Sequence, residues 1–208
     1  MSPRAYRMGQ RQEATDKTRA GIIAAARELL SADGGVLGFS MDAIARQAGV
    51  ARMTVYYQFG SKRRLLEALF DDLAARADLG PRVAAALGQA EPLDSLAGVL
   101  AAFAHFWTRD RLAMRRVRAL AALDTEFGEA VRARDERRRQ IARALLRRMA
   151  ERHGRPAVAG FDEVVNLLHM LTSFETFDTL AGADHEPEEM TAAVTRLALT
   201  AMAAESAT

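Results

Sequence analysis

The sequence predicts an all-α protein: a three-helix module near the N-terminus followed by a larger helical bundle. Three observations carry this. Alanine, the best helix former and a poor strand former, supplies 43 of the 208 residues, against only 5 prolines. Apolar residues recur at helical spacing along most of the chain. No segment shows the alternation of polar and apolar residues that marks a half-buried strand.

Composition narrows the class further. Half the residues are hydrophobic and 27% are charged, so the chain has material for a real core and is not a disordered polymer. There is no cysteine, which excludes a disulfide framework, a thiolate metal site and a cysteine nucleophile. The start, MSPRAYRMGQRQEATDK, is polar and basic with no apolar run. The longest uncharged stretch, Ser95 to Thr108, has 14 residues, short of the roughly 20 that span a bilayer. The chain therefore reads as cytoplasmic, away from the membrane. Net charge is only +2, but it is unevenly distributed. Residues 1–70 carry 11 Lys/Arg against 6 Asp/Glu, and residues 71–208 carry 18 against 21. The basic first third points to an electrostatic task for that segment.

Taken in order, residues 1–14 read as a flexible basic arm bearing Arg4, Arg7 and Arg11. A first helix is predicted from about Thr15 to Ala32, with Ile22, Ile23, Ala26, Leu29 and Leu30 at helical spacing and Gly34-Gly35 as its stop. Ser40 is a good N-cap for a short helix over Met41–Ala48, with Ile44 and Ala45 inward. Gly49 supplies the sharp turn and Val50 fills its angle. A third helix spans Arg52–Phe59 and stops at Gly60. Ser61 caps a longer helix to about Leu79, whose stripe is Leu65, Leu66, Leu69, Phe70 and Leu73. Gly80-Pro81 punctuates the chain, and residues 82–92 are ambiguous between helix and loop. Five further helices are predicted at about 93–108, 111–123, 127–153, 158–180 and 187–204.

Two short helices joined at Gly49-Val50-Ala51 form the helix-turn-helix layout, in which the second helix enters the major groove of DNA. Ala45 is small where the two helices approach. The second helix turns Arg52, Met53, Thr54, Tyr57 and Gln58 outward, and leaves Val55, Tyr56 and Phe59 to pack wholly or partly inward. The string SMDAIARQAGVARMTVYYQFGSKRRLL resembles the DNA-binding module of TetR-family transcriptional regulators. The matching elements are Ser40, Ile44-Ala45, Ala48-Gly49-Val50, Thr54-Val55-Tyr56, Phe59, Lys62 and Leu65. The resemblance is specific over about residues 15–70; beyond that it extends to length and helical pattern. Ala51 departs from it, standing where the family often has a capping Ser or Thr, a loss of about 1 kcal/mol of capping.

The resemblance implies a role for each matching residue. Ser40 and Lys62 would hold backbone phosphates, and Arg46 a phosphate or a base edge. Thr54, Tyr56 and Gln58 would contact phosphates or edges. Tyr57 would lie against a thymine methyl or a sugar, beside the exposed Met53. Arg52 is the candidate for bidentate readout of guanine. The arm arginines would add minor-groove or phosphate contacts. The implied partner is double-stranded DNA, and the implied organisation is a DNA-binding domain over 15–60 and an effector-binding and dimerisation domain over 61–208.

The rest of the chain fits that organisation. The predicted 158–180 helix is apolar nearly all round. Phe161, Val164, Val165, Leu168, Leu171 and Thr172 share one face, Met170 and Phe177 take the other, and Leu167 and Phe174 lie between. Such a helix is buried on more than one side. The last helix carries Met190, Val194, Leu197, Ala198 and Ala201 in one stripe. In the family the last two large helices form a four-helix dimer interface, so a homodimer through about 158–180 and 187–204 is expected. Leu93, Leu96, Leu100, Phe103 and Trp107 line one face of their helix, with Phe106 at its edge. Together with Met114, Leu145, Met149 and Phe174 they are candidates for binding an apolar or aromatic small molecule, against the alternative of an ordinary core. Arg134 and Arg138 fall on the same face as Val131, Ile141, Leu145 and Met149, and Glu175 falls on the apolar face of its own helix. Either these pair with one another, or the arginines snorkel to water, or an arginine such as Arg138 binds an anionic effector.

The expected function is thus a transcriptional regulator, a homodimeric repressor of a palindromic operator released by a small-molecule effector. A helical enzyme is disfavoured: no nucleophile motif, phosphate loop or metal-spaced cluster is present, so no catalytic residue, metal site or cofactor is assigned. A ligand-free architectural DNA binder is the remaining alternative.

Overall fold

The structure, a computed structural model, describes residues 3–33, 35–153, 160–182 and 187–204, with the backbone alone for residues 3–11, 153, 187–188, 201 and 203–204. The described residues form eleven helices and no strand: α1 Pro3–Ser31, α2 Met41–Gln47, α3 Arg52–Phe59, α4 Lys62–Arg76, α5 Leu79–Leu87, α6 Pro92–Arg109, α7 Arg111–Leu123, α8 Thr125–His153, α9 Phe161–Leu171, α10 Phe174–Leu180 and α11 Pro187–Ala204. The expected all-α class is what the chain adopts. It forms two compact units, one of Met1–Asp72 with Leu112–Glu129, the other of Leu73–Arg111 with Ala130–Thr208. The boundaries fall inside α4, α7 and α8.

In the first unit, α1 buries Ile22, Ala25, Ala26 and Leu30. It begins at Pro3 instead of about Thr15, so the backbone of residues 3–14 is helical where an arm without structure was expected. Arginine, glutamine, glutamate and alanine there are good helix formers. They create no apolar stripe, so hydrophobic periodicity does not register them. The side chains of Arg4, Arg7 and Arg11 lie outside the described residues. At the other end, Arg116 of α7 donates to the carbonyls of Leu30 and Ala32, satisfying groups that a helix C-terminus leaves open. Gly35 follows with φ +38; a Cβ there would meet the Arg116 Nε at 2.5 Å. Gly34, the other expected stop, is outside the described residues. Arg27 of α1 is paired with Asp72 of α4 at 2.9 Å.

The α2–α3 turn forms as the sequence indicates. Ser40 Oγ accepts from the Ala43 amide at 3.2 Å. Gly49 takes φ 65, and the Val50 amide donates to the Ala45 carbonyl at 3.0 Å. Val50 is half-buried, not fully enclosed. α3 covers the expected Arg52–Phe59 and starts from an Ala51 that makes no side-chain cap. α4 stops at Arg76, short of Leu79, because Asp78 turns into the left-handed region at φ 50. The ambiguous stretch resolves into α5, with Pro81 tolerated in its first turn, where no intrahelical partner is lost.

In the second unit, α6 is the central element: α5, α10 and α11 pack on it, and α9 packs on α11 and α10. Gly98 permits the α5–α6 approach, since a Cβ there would lie 2.8 Å from the Ala86 Cβ. Leu96, Leu100, Phe103 and Trp107 are buried as expected; Phe106, placed at the edge, is buried too, while Leu93, in the first turn, is exposed.

The expected 158–180 helix is interrupted. Its start at 158–159 lies outside the described residues, and the described part divides into α9 and α10 at Thr172-Ser173. Side chains compete here with the helical ladder. Ser173 Oγ caps α10 by accepting from the Thr176 amide at 3.2 Å, and Thr176 Oγ1 donates to the Met170 carbonyl at 2.6 Å. Thr172 Oγ1 donates to the Leu168 carbonyl at 2.8 Å. The break resets the helical phase: Phe177 is fully buried, and Glu175, expected on an apolar face, is exposed.

Gly49 and Gly21 have no atom near the place of a Cβ, so alanine at either tests the backbone alone. Gly49→Ala should destabilise by about 1–2 kcal/mol because φ is positive. Gly21→Ala, inside α1, should stabilise by about 0.5–1 kcal/mol. Urea unfolding of the two variants beside the parent checks both signs.

Candidate nucleic-acid interface

The interface is built on five buried side chains: Met41, Ile44 and Ala45 of α2, and Val55 and Phe59 of α3. Their burial anchors one face of each helix and leaves the other in water. Tyr57 is 86% exposed and Met53 73%, exposures an aromatic and a long apolar side chain seldom keep without a role. Arg52 is exposed, and Thr54, Tyr56 and Gln58 are half-buried at its flank. Met53, Thr54, Tyr56 and Tyr57 together line a shallow concavity of about 500 Å³. Ser40 and Arg46 are exposed on α2, and Lys62 is half-buried at the start of α4, its ammonium 5.8 Å from the Phe39 ring centre. Ser40, Arg46, Arg52, Met53, Thr54, Tyr56, Tyr57, Gln58 and Lys62 thus all lie in the first unit, none of them fully buried.

Two residues that the sequence reading did not single out organise this face. Arg19 of α1 donates from Nη1 to the Gln58 carbonyl at 2.8 Å and lies 4.2 Å above the Phe59 ring, so it ties the end of α3 to α1. Asp42 of α2 sits against Arg52, with Nε–Oδ1 and Nη1–Oδ2 both at 3.3 Å. Arg52 Nη2 also donates to the Tyr56 hydroxyl at 3.4 Å. The hydrogen bond to Tyr56, and then the charge of Asp42, raise the Arg52 pKa above its ordinary value. Neither partner was visible in spacing: Asp42 is ten residues from Arg52 and Arg19 is forty from Phe59, so only the folded turn brings them together.

An exposed helix of this composition, set on a buried two-helix base, is the helix-turn-helix layout that DNA-binding proteins use. Residues 22–69 match the model of the bacterial regulatory proteins of the tetR family, so the helix-turn-helix segment of this chain is similar to the DNA-binding segment of those regulators. None of the curated proteins matches it in sequence. Beyond the module the likeness is of fold. A TetR-like regulator from Rhodococcus sp. RHA1 shares 23% identity, with a TM-score of 0.69 over 89% of this chain and 96% of that one. The regulator FadR of Bacillus subtilis, solved with stearoyl-CoA, shares 19%, with a TM-score of 0.68 over 86% and 96%. The regulator PfmR of Thermus thermophilus shares 22%, with a TM-score of 0.62 over 86% and 97%.

The residues expected to hold a small molecule are mostly packed together in the second unit. Trp107 stands at the centre of a cluster with Phe106, Phe174 and Phe103, at ring distances of 4.3, 5.7 and 6.3 Å. Its indole Nε1 donates to the Thr172 carbonyl at 2.8 Å. Leu145 is buried and Met149 half-buried in the same unit; Met114 is buried in the first. Arg138 is 6% exposed. It donates from Nη1 to the His169 carbonyl at 2.8 Å and to Thr172 Oγ1 at 3.3 Å, and from Nη2 to Asp135 at 3.1 Å. Arg138 and Trp107 therefore both bond to Thr172 at the α9–α10 break, one at its hydroxyl and the other at its carbonyl. Arg134 is half-buried and donates to the Ala130 carbonyl at 3.1 Å. A groove of about 430 Å³ lies elsewhere, between α5 and α6, lined by Arg82, Gln89, Asp94, Gly98 and a row of alanines. Among the described residues no three His, Asp or Glu side chains converge to hold a metal, and no helix is long and apolar enough to cross a membrane.

Two half-buried histidines of the second unit hold their pKa below the ordinary value, His169 through burial and then Arg138, His105 through burial and then Arg82 and Arg109. Asp135 and Glu136 act on His169 in the opposite sense, but less. A lowered native pKa means the unfolded chain protonates first as pH falls. The stability these histidines confer is full above about pH 6.5 and is lost below it, down to the native pKa. The urea midpoint should drop between pH 7.5 and 5.5, and His169→Gln should shrink that drop. An undiminished drop in the variant would remove His169 as a source.

Proposed function

We propose that the chain is a homodimeric repressor that places α3 of each subunit in successive major grooves of a palindromic operator and leaves it when a small effector binds. The observation that carries the reading is the exposed α3 face, with Arg52, Met53 and Tyr57 projecting from a base fixed by Val55 and Phe59. In this reading Arg52 reads guanine, and Tyr57 and Met53 pack on thymine methyls or sugars. Ser40, Arg46, Thr54, Tyr56, Gln58 and Lys62 fix the register on the phosphates. The basic residues of 1–14 extend the contact, residues 15–60 form the DNA-binding domain, and residues 61–208 sense the effector and dimerise.

The dimer is proposed through α9 and α11, which pack on each other and leave Met170, Leu197 and Leu199 in water. A second copy covering these side chains would remove an otherwise unfavourable exposure. The effector is proposed to be apolar or aromatic and to enter beside Phe103, Phe106, Trp107 and Phe174, within reach of Leu145, Met149 and Arg138. That FadR of similar fold was solved with stearoyl-CoA supports an elongated apolar molecule. Its effect would be a population shift toward dimers whose recognition helices no longer match the operator spacing.

Fluorescence anisotropy on a duplex from upstream of the chain's own gene, against a random duplex, tests the reading. The parent should prefer its own site at physiological salt, by about 10³-fold or more. Tyr57→Ala should cut that preference at least tenfold. Lys62→Ala should weaken both duplexes alike and reduce the salt slope by about one. Equal affinity of the parent for a selected site and for random DNA at physiological salt would refute it.

A further inference from the structure

Resting on the reading of α3 as the groove-facing helix, we infer that Asp42 is a specificity-determining residue: its carboxylate orients the Arg52 guanidinium toward a guanine and keeps it from serving as a free phosphate anchor. The inference starts from the geometry. Both oxygens of Asp42 approach nitrogens of Arg52 at 3.3 Å, and the Tyr56 hydroxyl takes a hydrogen bond from Nη2 at 3.4 Å. The guanidinium carbon lies 5.5 Å from the Tyr56 ring centre. Contacts from α2 on one side and from α3 on the other restrict a side chain that otherwise has several freely rotating bonds.

What remains available matters more than what is held. A guanidinium has five N–H groups. Hydrogen bonds to Asp42 and Tyr56 use two, leaving enough for the paired contact with guanine O6 and N7. The pair is also placed where DNA would meet it, since Arg52 and Asp42 are 57% and 58% exposed. An exposed pair of this kind adds little to stability, and what Asp42 contributes as the acid in the first turn of α2 does not require Arg52 beside it.

Charge supplies the second argument. A lone exposed arginine on a DNA face binds phosphate wherever it lands, which raises affinity for all sequences alike. A carboxylate 3.3 Å away cancels most of that long-range attraction. The short-range hydrogen bonds to a base edge survive, because they depend on donor direction and contact. The pair therefore lowers non-specific affinity and keeps sequence readout, which is a gain in discrimination by weakening the wrong complex.

The test uses the full chain. Sites selected by the parent from a random duplex pool are first measured with Arg52→Ala, which identifies the base pair that loses its guanine preference. Asp42→Asn, Asp42→Ala and Asp42→Glu are then measured on that site, on its variants at that pair, and on random DNA across a salt series. Asp42→Asn and Asp42→Ala should lose about tenfold in guanine preference at that pair alone. They should bind random DNA several-fold tighter, with a salt slope steeper by about one. Asp42→Glu should recover part of the preference, and thermal unfolding should stay unchanged in all three. Tighter binding to every duplex with the guanine preference intact would overturn the inference, reducing Asp42 to a charge brake. Failure of the underlying reading looks different: the parent would enrich no sequence at all. If sites are enriched but Arg52→Ala alters no single position, the role of Arg52 falls and that of Asp42 with it.

Discussion

The burial of Ile44, Ala45, Val55 and Phe59 on either side of the Gly49 turn is the constraint from which the rest of the interface follows. α2 and α3 have seven and eight residues, too short to be stable alone in water. They exist because one face of each is buried. A positive φ at Gly49 sets the angle between them, and the Val50–Ala45 backbone hydrogen bond closes the turn. Once that base is fixed, the outward residues have no choice of direction. Arg52, Met53 and Tyr57 point to water because Val55 and Phe59 do not. Arg19 then anchors the end of α3 through the Gln58 carbonyl and the Phe59 ring, a polar contact at the edge of an apolar base.

The second unit solves a different problem. A continuous apolar helix from residue 161 to 180 would bury aromatic groups on incompatible sides. The Thr172-Ser173 break divides it and lets Phe174 and Phe177 both face inward. Breaking a helix inside a core exposes carbonyls that must find donors. Arg138 reaches the His169 carbonyl, Thr176 the Met170 carbonyl and Trp107 the Thr172 carbonyl. The most buried arginine among the described residues thus has a structural task, and the aromatic cluster is coupled to the break through Trp107. A ligand that separated the rings of Trp107 and Phe174 would disturb the same hydrogen bonds, which is a physical route from the cluster to α9 and α10.

Much of this was legible before the fold. The helix-turn-helix string has local signals at every step: Ser40 as cap, Gly49 as turn, Gly60 as stop, and an apolar pair in each short helix. α3 and α7 took their expected bounds because breaks flank them, the turn at Gly49 and Gly60 for α3 and the polar residues Asp110 and Asp124 for α7. What was not legible depends on long-range or phase-dependent facts. The polar first half of α1 has helix propensity but no stripe. The α9–α10 break arises from Thr172, Ser173 and Thr176 competing with the ladder, a local effect masked by a strong apolar pattern. Once missed, it misplaced Glu175 and Phe177, since every later residue is rotated. Asp42 and Arg19 carry no sequence mark at all, because a partner across a turn is defined only when the turn exists.

Selection of bound duplexes from a random pool, followed by sequencing, addresses the central claim most directly, since it asks whether the exposed face of α3 reads DNA. The expected outcome is an enriched palindrome whose half-sites lie about one helical turn apart, with a guanine that disappears from the motif when Arg52→Ala is selected in parallel. Enrichment of no motif, or a motif identical for the parent and for variants of Arg52 and Tyr57, would contradict it.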